Sequence, residues 1–129
     1  MSLSKIIEVM VVDDTSVSRL LITDALDQMG IQKISIAKDG KQALTTLMAR
    51  PVHLVISDQN MPGLDGLGLL KALRAYKPTS KIGFIMVTGS PDKTLFARGR
   101  ELGLNNYIAK PFTTVSMKAA IEAVVGRLS

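Results

Sequence analysis

Five short runs along the chain read as strands: IIEVMVV (6–12), KISIA (33–37), HLVIS (53–57), IGFIMV (82–87) and NNYIA (105–109). Most are β-branched and apolar on consecutive positions rather than alternating, which is the pattern of strands buried on both faces. Between them the apolar residues return at helical spacing. Val17, Leu20, Leu21, Ala25, Leu26 and Met29 form the first such set, and Gly30 supplies a left-handed stop after it. Asp14 or Thr15 caps its start. Strands alternating with helices in this way predict an α/β fold, a parallel sheet covered by helices on both sides.

The second helix is predicted over 40–49, ending before Pro51 because a proline pushes the preceding residue out of the helical region. A third is predicted over 67–76, before Pro78. The fourth is expected to open with Ser90 as N-cap and Pro91 at the first helical position, and to stop at Gly103. Gly99 inside it costs roughly 1 kcal/mol of helix stability, so this helix is expected to be the least secure. The last begins after Thr113 or Thr114 and sets Ala120, Ile121, Val124, Val125 and Leu128 along one face. No internal repeat, linker or low-complexity tract interrupts this order, and 129 residues suit one domain, 1–129.

Composition narrows the function classes. With 47% hydrophobic and 21% charged residues the chain is an ordinary globular sequence, and no apolar run approaches the ~18 residues of a membrane span. MSLSK lacks the apolar core of a signal peptide, so a cytoplasmic location is expected. The absence of cysteine excludes disulfides, thiolate metal sites and a cysteine nucleophile. The charge of +5 is spread over single basic residues without clusters, and three Phe and two Tyr offer few stacking platforms, so neither nucleic acid nor a membrane is an expected partner. His53, the one histidine, opens a strand and reads as partly buried structure. The seven methionines read as the initiator and gap-fillers. Gly63, Gly66 and Gly68 do not match either nucleotide-binding spacing and read as turn and helix-start residues.

The chemistry sits at strand ends. Asp13 and Asp14 follow the first strand, Asp58 the third, Thr88 the fourth and Lys110 the fifth, and ligands of open parallel sheets bind beyond the carboxyl ends of the strands. Each residue alone reads as a cap, a turn residue or a surface charge; together they converge on one place. Three clustered carboxylates repel one another, by ~4 kcal/mol for two charges 4 Å apart at an effective dielectric of 20. Lys110 supplies one positive charge and a hard divalent cation, Mg²⁺ by the all-oxygen donor set, supplies two more. A carboxylate so placed can attack a phosphoryl group while cation and lysine neutralise the transferring oxygens.

The segments VMVVDDTSVSR, LVISDQNMPGLDGLGLL, FIMVTGS and NNYIAKPF, in this order, resemble the receiver domain of two-component response regulators, and the whole chain is similar to the single-domain chemotaxis type. The resemblance implies a doubly wound (βα)5 sandwich with a five-stranded parallel sheet in the flavodoxin-like order 2-1-3-4-5. It makes Asp58 the phosphoacceptor, with Asp13, Asp14, Asp58 and the backbone carbonyl of Asn60 holding Mg²⁺. Thr88 and Lys110 would contact the phosphoryl oxygens, Tyr107 would be a switch aromatic, and the Lys110–Pro111 bond would be cis. Implied partners are a CheA-like sensor histidine kinase, a phosphatase, and a flagellar motor switch protein or other target on the fourth helix, fifth strand and fifth helix of a monomer. Gln59, Gly89, Asn60 and Ser90 occupy positions where the family varies. On this reading the chain is a switch rather than an enzyme, catalysing only its own phosphorylation and dephosphorylation. The alternatives are a phosphate sink outside motor control, a receiver-like scaffold never phosphorylated, and a small Mg²⁺-dependent phosphatase. Asn60 cannot serve the last as general acid, and the chain leaves no length for a cap.

Overall fold

A computed structural model describes residues 2–129. Five parallel strands, β1 (Glu8–Val12), β2 (Lys33–Ala37), β3 (Leu54–Asp58), β4 (Gly83–Thr88) and β5 (Asn106–Ala109), form one sheet in the order β2-β1-β3-β4-β5. The helices are α1 (Leu3–Ile6), α2 (Ser16–Gln28), α3 (Gly40–Ala49), α4 (Gly66–Ala75), α5 (Lys93–Glu101) and α6 (Thr114–Val125), with a 3₁₀ turn at Lys77–Thr79. The expected (βα)5 order is the one found. The fourth and fifth helices expected from the sequence are α5 and α6, because α1 precedes them.

Pleating divides the strand residues between two cores. Val9, Val11, Leu54, Ile56, Ile85, Val87 and Ile108 meet Ile22, Ala25 and Leu26 of α2 and Met117 and Ile121 of α6. Met10, Val12, Val55 and Phe84 meet Ala43 and Leu47 of α3 and Leu69, Leu70 and Leu73 of α4 on the opposite face. Burial on both faces explains why these strands read as continuous apolar runs. Since β1 lies between β2 and β3, the winding reverses there, and the carboxyl ends of β1 and β3 border the crevice in which such sheets bind ligands.

Several local expectations change. Ile6 belongs to α1, whose Ser4 N–H donates to the carbonyl of Leu128, so β1 begins at Glu8 rather than 6. Val17, Leu20 and Leu21 share the helical period of α2 but are exposed; α2 buries Ile22, Ala25 and Leu26 instead. Thr15 stands at its N-cap without a side-chain cap bond, and Gly30 takes φ +86° as its stop predicts. α5 starts at Lys93, not after Ser90: Asp92 accepts from Leu95 N–H, and a carboxylate at the positive end of a helix outcompetes the serine two residues earlier. Leu128 lies beyond α6, which ends at Val125, yet it is buried in the core shared with α2. His53 is exposed rather than partly buried, and its Nδ1 accepts from the Glu8 N–H.

Candidate functional site

The site grows out of the β1–α2 and β3–α4 connections. Asp13 follows β1 and is fully buried. Its Oδ1 accepts from the Thr15 N–H at 3.0 Å and the Thr15 hydroxyl at 3.2 Å, while its backbone carbonyl accepts from Arg19 Nη1 at 2.9 Å. Asp14 beside it is exposed, and Asp58 closes β3 with 7% of its surface accessible. One oxygen from each of the three carboxylates lies within 4.8 Å of the others. Asp13 Oδ2 is buried and has no hydrogen-bond partner among the described residues, an arrangement that a protein tolerates poorly unless something else answers the oxygen. The set is all oxygen and anionic, which suits a hard cation.

Lys110 is the positive group the structure brings to these acids. Its Nζ stands 3.5 Å from Asp58 Oδ1 and 3.9 Å from Asp13 Oδ2. Burial raises the Asp58 carboxyl above its ordinary value; Lys110 pulls it down in part, and the Asp13 charge pushes it up again. Thr88 closes β4, fully buried, and its Oγ1 accepts from the Ser90 N–H at 3.0 Å. The Lys110 N–H donates to the Thr88 carbonyl at 2.9 Å, and the register pairs Thr88 with Ala109, so the end of the β4–β5 ladder sets the lysine one residue beyond the threonine's partner. The Lys110–Pro111 peptide is cis. Asn60 lies two residues beyond Asp58, exposed, in the loop leaving β3.

The model of the response regulator receiver domain matches residues 9–122. The chain belongs to that family. Over 128 residues this receiver is 50% identical to a Rhizobium etli protein described as "Probable chemotaxis protein CheY", covering 99% of both chains. It is 32% identical to chemotaxis protein CheY-3 of Vibrio cholerae, covering 98% of this chain and 97% of the relative. Among solved structures it resembles CheY4 of Vibrio cholerae with a TM-score of 0.85 at 25% identity, over 92% of this chain and 98% of that one.

Tyr107 of the receiver stands apart from the acids. It is half-exposed on β5, and its ring stacks on Phe96 of α5 with centroids 3.7 Å apart and planes 20° apart. Centroids this close make the pair a nearly face-to-face stack, tighter than the offset or edge-on arrangements that aromatic rings prefer. Phe96 was not legible as a partner, because the meeting of a helix residue with a strand residue eleven positions on depends on how α5 docks.

Two further residues of the site escape sequence reasoning. Ser18 Oγ accepts from Lys110 Nζ at 3.0 Å; the available signal is that Ser18 lies in the first turn of α2, the end of the helix that leaves the Asp13–Asp14 turn. Gln59 clamps the loop over the acids: its Oε1 accepts from the Leu67 N–H at 2.8 Å, and its Nε2 donates to Asp65 Oδ2 at 3.2 Å. Asp65 in turn caps α4 through Gly68 N–H. A Cβ on Gly66 would come within 2.8 Å of both the Asp58 carbonyl and Gln59 Oε1, which is why the helix can start against the end of β3 only with glycine there.

Proposed function

We propose that this receiver is a phosphorylation-activated response regulator of a two-component system acting in chemotaxis, with 1–129 working as one receiver domain and Asp58 as phosphoacceptor. The observation that carries the reading is the placement of Asp58: last on β3, nearly buried, 3.5 Å from a lysine and grouped with two more carboxylates. The similarity to CheY proteins over nearly the full length supports the chemotaxis assignment.

An Asp58 oxygen attacks the phosphorus of a phosphohistidine on a sensor kinase. The P–N bond breaks, its electron pair returns to the imidazole, and an aspartyl phosphate forms. Asp13, Asp14, Asp58 and the Asn60 carbonyl would hold Mg²⁺, which when bound supplies charge neutralisation at the transferring oxygens. Lys110 supplies a second positive group from the carboxyl end of β5, and the Thr88 hydroxyl donates to a phosphoryl oxygen. The chemistry consumes Asp58 as acceptor, so the protein turns over only its own phosphate.

The output follows from what Thr88 and Tyr107 share. Drawing Thr88 toward the phosphoryl group opens room beside β4, and Tyr107 leaves Phe96 to occupy it, which changes the surface of α5, β5 and α6. That surface binds the target, a flagellar motor switch protein. Tyr107→Ala is expected to change target affinity about tenfold while altering the rate of phosphoryl gain less than twofold, checked by titrating target against both phosphorylated forms. Among the described residues no helix is long and apolar enough to cross a membrane, and we place the protein in the cytoplasm.

The kinase has to bring its phosphohistidine to Asp58, and α2 offers exposed Val17, Leu20 and Leu21 next to a groove lined by Leu21, Lys110, Pro111 and Phe112. We place the phosphodonor domain there. Leu20→Glu is expected to slow phosphotransfer from the kinase about tenfold or more and leave acceptance from a small phosphodonor unchanged. Intact mass after incubation with a small phosphodonor and Mg²⁺ tests the reading as a whole: one phosphoryl group is expected, and none in a chelated control. A folded, metal-loaded protein that gains nothing would refute it.

A further inference from the structure

We propose that Ser18 is a positioning residue for Lys110, its hydroxyl deciding where the ammonium stands when a phosphoryl group arrives. The inference rests on Asp58 being the acceptor and adds to it a residue of α2. Three oxygens surround Nζ: Ser18 Oγ at 3.0 Å, Asp58 Oδ1 at 3.5 Å and Asp13 Oδ2 at 3.9 Å. An N–H···O hydrogen bond spans about 2.7–3.2 Å, so the neutral hydroxyl holds the ammonium directly while both carboxylates stand at ion-pair range.

A lysine ammonium is a compact charge on a flexible four-carbon stem with three rotatable donors. With no hydroxyl to anchor it, its place would be set by the pull of the carboxylates and of water alone. It would close on Asp58, covering the oxygen that attacks, or swing into the groove beside Leu21 and Pro111, which is partly open. Either position removes it from the oxygens on which charge develops during transfer, and small misplacements of this kind are costly. Ser18 can impose a fixed position because its helix is itself fixed. The neighbouring Ile22, Ala25 and Leu26 are buried, and Arg19 Nη1 ties the first turn to the Asp13 carbonyl at 2.9 Å. The hydroxyl and the Asp13 carboxylate thus belong to one rigid segment, and Lys110 is aligned against it from across the sheet.

The test compares wild type with Ser18→Ala, Ser18→Thr and Ser18→Val. Threonine and valine have nearly the same shape and differ in the hydroxyl, so this pair separates hydrogen bonding from packing. The first readout is the Lys110 ammonium resonance in metal-free ¹⁵N-labelled protein, visible when a hydrogen bond slows its exchange with water. It is expected in wild type and Ser18→Thr and broadened away in Ser18→Ala and Ser18→Val. The second is the rate of phosphoryl gain from phosphoramidate with saturating Mg²⁺, expected within twofold of wild type for threonine and about three- to tenfold lower for alanine and valine. Equal rates for valine and threonine overturn the proposal, whatever the resonance shows. A wild type that gains no phosphoryl group refutes the acceptor assignment instead, a failure distinct from equal rates.

Discussion

Asp58→Asn is expected to gain no phosphoryl group under conditions in which wild type gains one, and to be the more heat-stable protein without metal at neutral pH. The first result follows from chemistry: an amide oxygen lacks the charge to attack phosphorus, and Asp14, the exposed carboxylate of the cluster, does not share Asp58's position facing Lys110. The second follows from burial. The Asp58 carboxyl is raised above 3.8 in the fold, chiefly by removal from water, with Lys110 opposing and Asp13 adding to the rise. A carboxyl whose folded value exceeds its unfolded one binds its proton more tightly in the native state. Its contribution to stability is therefore fully present below pH 3.8 and is lost as pH rises through the raised value. At neutral pH the wild type holds a partly desolvated charge that asparagine does not. Intact mass and melting temperature from pH 7 down to pH 4 check both, with the gap in melting temperature expected to narrow as Asp58 protonates.

Asp13→Asn is expected to weaken Mg²⁺ binding about tenfold or more, and to raise the melting temperature of the metal-free protein. Asp13 Oδ2 is buried with no hydrogen-bond partner among the described residues, so it is an atom whose desolvation a cation would answer. Removing its charge takes away two of the three pairwise repulsions within the group of carboxylates. An asparagine can keep the Oδ1 bonds from the Thr15 N–H and hydroxyl, so the β1–α2 turn should survive. Gain in stability of ~1 kcal/mol would appear as a rise of about 3–6 °C in a chain of this size. Titration of Mg²⁺ followed by melting curves measures affinity and stability together. Unchanged affinity would remove Asp13 from the cation site. The opposed signs expected here are those of a site kept for function at the expense of stability.

The acid cluster was legible because its members stand at strand ends. In a parallel sheet every strand run points its carboxyl end the same way, so the ends of 6–12, 53–57, 82–87 and 105–109 collect Asp13, Asp14, Asp58, Thr88 and Lys110 in one crevice before any distance is known. Helix faces were less legible. Val17, Leu20 and Leu21 have the period of a core face, yet they turn to solvent because α2 packs through Ile22, Ala25 and Leu26. Periodicity shows that an apolar stripe exists and not which part of it the sheet covers. The start of α5 moved for a local reason: Ser90 and Pro91 satisfy the rules for a helix start, but Asp92 satisfies them with a charge.

By itself the sequence determined the α/β class, the five strands and all the α-helices of the described residues except α1, and the strand ends from which the site is built. Those features depend on local propensity and on the direction of the chain through a parallel sheet, which one-dimensional pattern carries. Only the tertiary structure decided that Ser18 meets Lys110, that Gln59 bridges to Leu67 and Asp65, that Phe96 stacks on Tyr107 and that one oxygen of Asp13 is left buried without a partner. Each depends on the rotation of a helix about its axis, the course of a loop or the side chains that close over an atom. Those are settled by the packing of the two cores against the sheet rather than by neighbours in sequence.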